Sequence, residues 1–190
     1  MTREYTYISM DGSTMTDAIA DAIAEIHNSW TATAAMPDPL GFLLFTTSAE
    51  SVLAEAAEAD SGYLVAQSQG RTVGFLKYEW GFDPAHLEYM DWDPGQSPET
   101  VAGRTHLHVI KLATARAHSS RGVARGLYEM VFGHLRPSHV STFVAVAPHR
   151  NERSLTLHER LGFERVGLYK ASEFAGLAGF ESLLLLRGHP

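Results

Sequence analysis

Arg121, Gly122, Arg125 and Gly126 fall within one polar turn, S-R-G-V-A-R-G-L, that runs straight into an amphipathic stretch. These residue types in this order describe an anion cradle. The first N–H groups of a helix have no intrahelical partner and lie at the positive end of the macrodipole. Glycines remove Cβ atoms where a ligand or a neighbouring strand comes close to the backbone, and arginines add charge-assisted bonds. The dipole contributes about 0.3–1 kcal/mol, whereas each hydrogen bond to a charged group contributes about 1.5–3 kcal/mol. The two guanidinium groups therefore outweigh the dipole.

The elements that must position this turn can be read on either side of it. Val123, Leu127, Met130, Val131 and Leu135 share one helical face, and Pro137 stops the run. Upstream, His106 to Ala115 reads as a strand. Further along come strand Val140 to Ala147, helix Glu152 to Leu161 and strands Phe163 to Ala171 and Phe180 to Arg187. Before the turn, Glu4 to Met10 alternates as a strand and Thr16 to Ser29 repeats apolar residues at helical spacing. Thr47 and Glu50 form a capping-box pattern for a second helix through Ala59. Strands Gly62 to Gln67 and Thr72 to Trp80 pair as a hairpin, and Phe82 to Gly103, rich in proline, acids and aromatics, reads as a long loop. The succession describes an α/β (α+β) fold: a mixed sheet of six to seven strands with helices on both faces.

Composition narrows the function. The chain has 190 residues, 45% hydrophobic, enough for one compact domain over residues 1–190. Zero cysteines exclude disulfides, Cys-zinc sites and a thiol nucleophile, and suit a cytoplasmic location. The N-terminus lacks a leader pattern and no stretch is long enough for a membrane span, so no membrane is expected; no metal is expected either. The net charge of −7 hides an asymmetry: residues 1–100 hold 3 Lys/Arg against 16 Asp/Glu, the rest 12 against 6. The basic half suits a polyphosphate ligand. Nucleic acid is not expected, because no dense basic stripe with interleaved aromatics is present.

A second segment, N-E-R-S-L-T-L-H-E-R-L-G-F from Asn151 to Phe163, also opens a helix after a strand. With R-G-V-A-R-G at Arg121 to Gly126, the pair resembles the GNAT superfamily of N-acetyltransferases, whose pyrophosphate loop reads Q/R-x-x-G-x-G/A. The resemblance runs from about Tyr63 to the end. It implies acetyl-CoA as acetyl donor and a sheet splayed after Ala113. Residues 61–190 would form the cofactor-binding core, and 1–60 the acceptor side. It further implies that the backbone of Thr114, Ala115 and Arg116 lines the pantetheine arm. Arg121, Gly122, Val123, Ala124, Arg125 and Gly126 would take the pyrophosphate, and Asn151 and Ser154 would reach the cofactor's amides. Capping alone is the other reading of Asn151. Ala124 departs from the glycine that the family prefers.

Within that resemblance, His158 occupies the place of a tyrosine that protonates the departing thiolate; its other reading is a boundary histidine between Leu155 and Leu161. The place of the family's glutamate base falls at Ile110, which is no base. His108 lies two residues earlier on the same strand face, with His106 behind it, and is the alternative base. A backbone N–H such as that of Arg116 would hold the oxyanion. Trp80, Asp83 and Trp92, with Tyr78, Glu79, Glu88, Tyr89, Asp91 and Asp93, would form a surface that attracts a cationic amine, small molecule or peptide; the same acids also serve solubility. The rival functions are a non-catalytic CoA-binding sensor or assembly module, and a binder of another phosphorylated ligand. The leucine run Leu183 to Leu186 suits a core strand or an edge paired across a homodimer.

Overall fold

The computed structural model describes residues 5–31, 41–81, 87, 89–101 and 103–188. Eight strands form one mixed sheet in the hydrogen-bonded order β1-β2-β3-β5-β6-β8-β7-β4. They are β1 Thr6–Met10, β2 Ser61–Ser68, β3 Arg71–Trp80, β4 Met90–Trp92, β5 His106–Thr114, β6 His139–Ala147, β7 Glu164–Phe174 and β8 Leu177–Gly188. The helices are α1 Asp17–Asn28, α2 Ala49–Ala56, α3 Val123–Met130 and α4 Glu152–Arg160. This is the expected α/β fold with one strand more than expected.

The extra strand, β4, lies inside the stretch read as a loop. It is three residues long, too short for a period to show, and pairs antiparallel with β7 (Met90↔Tyr169, Trp92↔Gly167). Turn chemistry fixes the β2–β3 hairpin: Gln69 and Gly70 both take positive φ, 53° and 74°, as a two-residue hairpin turn requires. The second helix starts one residue later than its capping box predicts. The Thr47 N–H is bound by Asn28 Oδ1 at 2.9 Å and its carbonyl accepts from Asn28 Nδ2 at 2.8 Å, so Thr47 is tied to the end of α1. The cap passes to Ser48, whose hydroxyl accepts from the Ser51 N–H.

The fold contains two compact units interleaved along the chain. The first comprises Met1–Thr31, Phe45–Glu79 and Ile110–Arg136. In its core Ile23, Val52, Leu64, Phe75, Leu76, Val123, Leu127 and Tyr128 are all buried. The second comprises Ala32–Leu44, Trp80–Val109 and Pro137–Pro190. Here Val101, Val166 and Leu184 form the centre of a cluster that Met90, Trp92 and Phe143 join. β8 lies between β6 and β7 and is hydrogen-bonded on both edges, so the four-leucine run is an interior strand. Strand β5 contributes its first four residues to the second unit and its remainder to the first.

Candidate active site

The turn read as an anion cradle leads into the start of α3. Gly122 is the N-cap in the left-handed region (φ 85°) and no side chain caps the helix. Nothing lies within 4 Å of where its Cβ would be. Intrahelical bonding begins with the Gly126 N–H to the Gly122 carbonyl, so the N–H groups just before it have no partner of that kind. Arg121 and Arg125 are exposed, and Arg125 Nε lies 2.9 Å from Glu129 Oε1 in an i,i+4 pair. Val123 is buried as the helix's first core residue, and Ala124 is half-buried. Gly126 faces inward: its missing side chain makes room for Tyr7 of β1. The helix ends at Met130 and its last turn, Val131–Leu135, widens to a π turn.

The end of β5 is tightly held. Trp30 Nε1 donates to the Thr114 carbonyl at 2.7 Å, and the Ala115 N–H donates to the Val73 carbonyl at 2.8 Å. The Arg116 guanidinium lies 4.1 Å from the Trp30 ring centroid and donates through Nη2 to the Ser29 carbonyl at 2.6 Å. Trp30 thus fixes both the strand end and the first residue of the turn that leads to the cradle. Sequence reasoning missed it, because a lone tryptophan after a helix gives no sign of a contact 84 residues away.

At the start of α4, Asn151 is the N-cap, and its Oδ1 accepts from the Ser154 N–H at 3.2 Å. Its Nδ2 donates to the Phe42 carbonyl at 3.3 Å. The capping role is therefore present. One turn further on, His158 is 2% exposed, with Nδ1 donating to the Ser154 carbonyl at 2.7 Å and its ring edge-on to Phe163. Burial lowers its pKa to about 4, outweighing the bond to Ser154. The imidazole is neutral near pH 7 and is not the imidazolium that an acid would need.

His108 and His106 lie on β5 beside Ser141 of β6, their parallel partner strand (His108↔Ser141). Ser141 Oγ is 2.8 Å from His108 Nδ1 and 2.7 Å from His106 Nε2. The His108 ring stands edge-on to Phe143, which begins an aromatic chain through Tyr169 to Phe174 and Phe180. Ile110, two residues further along β5 than His108, is exposed.

The acids expected to attract a cation are largely engaged. Glu79 pairs with Lys77, Asp91 with Lys170 and Asp93 with Arg165. Trp92 packs into the Val166 and Leu184 cluster and Trp80 ends β3, both half-buried. Asp83 and Glu88 lie outside the described residues.

The acetyltransferase (GNAT) family model matches residues 23–163. The chain belongs to this family. Among curated proteins it is 26% identical over 128 residues to N-acetyltransferase 8F1 of Mus musculus, covering 67% of this chain and 50% of that protein. The chain thus spans about half the length of that relative. Among solved structures, smu.2055 from Streptococcus mutans UA159 superposes with a TM-score of 0.67 at 15% identity, over 98% of this chain and 99% of that one. Arabidopsis thaliana NAA60 in complex with acetyl-CoA gives 0.65 at 15% identity, over 97% and 98%. At such identities the two structures establish the shared fold.

Among the described residues, no three His, Asp or Glu side chains gather as a metal ion would require, and no helix is long and apolar enough to cross a membrane.

Proposed function

We propose that this GNAT protein transfers the acetyl group of acetyl-CoA to a primary amine on a small molecule or peptide. The observation that carries the reading is the start of α3, where left-handed Gly122 presents first-turn N–H groups with no side-chain cap between Arg121 and Arg125. This suits a diphosphate: first-turn N–H groups lack intrahelical partners, the dipole favours negative charge, and the exposed Arg121 and Arg125 flank the turn in the chain.

In this mechanism the turn from Arg121 to Gly126 holds the diphosphate, and the strand end at Thr114 to Arg116, braced by Trp30 and Val73, guides the pantetheine arm. Asn151 caps the first turn of α4 through the Ser154 N–H. An amine is mostly protonated near pH 7 and must lose a proton to attack. His108 accepts that proton. The freed electron pair forms the C–N bond as the C–S bond breaks, and the thiolate leaves, with an intrinsic pKa of about 8.5 that makes a dedicated acid dispensable. His158, neutral and locked to its own helix, supports α4. The amine approaches over the surface that includes Trp80 and Trp92.

The test is to measure binding of CoA by calorimetry and then free thiol released from acetyl-CoA across a panel of primary amines. Micromolar binding with amine-dependent thiol release supports the reading. Binding without release over the whole panel refutes the transfer step, and no binding refutes the cradle.

A further inference from the structure

Residues 1–100 carry 16 acids and only three basic side chains, Arg3, Arg71 and Lys77. Lys77 is buried and paired with Glu55 and Glu79, and Arg3 lies outside the described residues. Arg71 is therefore the exposed cation of this acidic half among the described residues, and no carboxylate there pairs with it. It borders a cavity of about 210 Å³ lined by Ser68, Gln69, Arg71, Val73 and His118. Four of these five side chains carry hydrogen-bonding groups able to donate and none is a carboxylate, which is the composition of an anion site.

The β2–β3 hairpin builds most of this cavity. Gln69 and Gly70 take the positive φ of the turn, which sets Ser68 directly opposite Arg71. Opposed residues project to the same side of a sheet, and Val73, two residues on, projects with them. The Val73 carbonyl accepts the Ala115 N–H at 2.8 Å and so ties the hairpin to the end of β5. From there the chain turns through Arg116–His118, where the Tyr5 hydroxyl lies 3.3 Å from His118 Nδ1. Three residues after His118 comes Arg121, the first residue of the turn proposed to hold the diphosphate. Three residues of chain span at most about 11 Å. Cavity and turn are thus neighbours within the first compact unit, which contains all of these residues.

We propose that Ser68, Gln69, Arg71 and His118 form a second anion site, which takes the 3′-phosphate of CoA while the turn takes the diphosphate. This rests on the reading of Arg121 to Gly126 as the diphosphate site. CoA carries both groups on one ribose, the monoester at the 3′ carbon and the diphosphate at the 5′ carbon. A phosphate monoester has three acceptor oxygens and close to two negative charges near pH 7, and the planar fork of an arginine meets two such oxygens at once. The Ser68 hydroxyl and the Gln69 amide add neutral donors from the hairpin, and His118 adds a ring nitrogen from the opposite wall. The diphosphate turn alone does not distinguish CoA from its form lacking the 3′-phosphate. The second site does, and so makes the protein selective for the complete carrier. Spacing along the chain does not group these residues, because hairpin and His118 meet only through the bond between Val73 and Ala115.

The experiment compares affinities of the full chain for CoA and for dephospho-CoA, which lacks the 3′-phosphate, by calorimetry on the wild type, Arg71→Ala and Arg121→Ala. The wild-type protein is expected to bind CoA about tenfold more tightly than dephospho-CoA, as a hydrogen bond to a charged group at an exposed site provides. Arg71→Ala is expected to bring the two affinities together by weakening CoA alone, and its unchanged affinity for dephospho-CoA reports an intact fold. Arg121→Ala is expected to weaken both ligands alike and to preserve the ratio. Equal binding of the two ligands by the wild type overturns the second site and leaves the diphosphate reading standing. A ratio that survives Arg71→Ala overturns it too, since the 3′-phosphate is then held elsewhere. So does a loss shared by both ligands in Arg71→Ala, which makes Arg71 a general charge and not a 3′-phosphate contact. If neither ligand binds the wild type, the diphosphate reading itself fails and takes this assignment with it.

Discussion

Tyr7 of β1 closes over Gly126 of α3, and a Cβ at position 126 would lie 2.0 Å from the tyrosine hydroxyl oxygen. This glycine lies in the turn proposed to hold the diphosphate, yet what it makes room for is a neighbouring strand's side chain. In Gly126→Ala the ring must swing away, an overpacking cost of about 1–3 kcal/mol, which is larger than the ~1 kcal/mol gained from helix propensity. Once Tyr7→Ala has emptied the space, the same substitution is expected to stabilise by up to that propensity gain. Urea unfolding of the two single variants and the double variant checks the change of sign, and additive losses would show that the contact carries no coupling.

Arg121 and Arg125 should not contribute alike. Arg125 already shares its charge with Glu129, through an exposed pair that itself contributes little to stability. Arg121→Ala is expected to raise the Kd for CoA by about tenfold, the loss of one charge-assisted bond. Arg125→Ala should cost less, and Glu129→Gln should tighten binding by removing a competing carboxylate. Calorimetry with CoA at low and high salt measures all three, and equal affinities across the set would sink the cradle.

The contrast between what could and could not be foreseen has a physical basis. The turn and α3 were legible because an apolar face at 3.6-residue spacing and a glycine at the N-cap are local signals. β4 was not, since three residues hold too little periodicity, and with it the pairs Asp91–Lys170 and Asp93–Arg165 stayed hidden, 79 and 72 residues apart. Acids that looked available to a cation in the sequence are thus partly satisfied by the chain itself. His108 could be singled out from its strand position, but Ser141 could not, because a register between strands is not written in either strand alone.

Another buried network went unseen for the same reason. Glu55 of α2 accepts from Lys111 of β5 at 2.8 Å, lies 3.4 Å from Lys77 of β3 and accepts the hydroxyl of Tyr63 of β2. Burial pushes its carboxyl up, but the bonds from Lys111 and Tyr63 and the charges of both lysines bring it below the ordinary value. Glu55→Gln leaves Lys77, whose side chain is only 6% exposed, with Glu79 as its remaining carboxylate partner. The expected loss is about 2 kcal/mol, below the full cost of orphaning a buried charge because Glu55 and Lys111 are each about a fifth exposed. Denaturant midpoints at neutral pH measure it, and a change within experimental error would show that the network is dispensable.

The buried histidines give stability a defined response to acid. His106 and His158 both titrate at about 4 in the folded chain, chiefly through desolvation, against 6.5 when exposed. The unfolded chain therefore binds more protons than the folded one between these values, and stability rises with pH across the window. Each ring's contribution is complete above about pH 6.5, is lost as the pH falls toward 4, and amounts to about 3 kcal/mol at most. His27, whose pKa is also lowered by burial, acts in the same direction. His158→Gln removes one titrating group, so the drop in unfolding free energy between pH 7.5 and pH 5 should be smaller than in the wild type by about 2 kcal/mol, the part of the window that lies above pH 5. If the two proteins lose stability in parallel over that interval, His158 is already protonated in the folded state, and the neutral, helix-locked imidazole assigned to α4 is wrong.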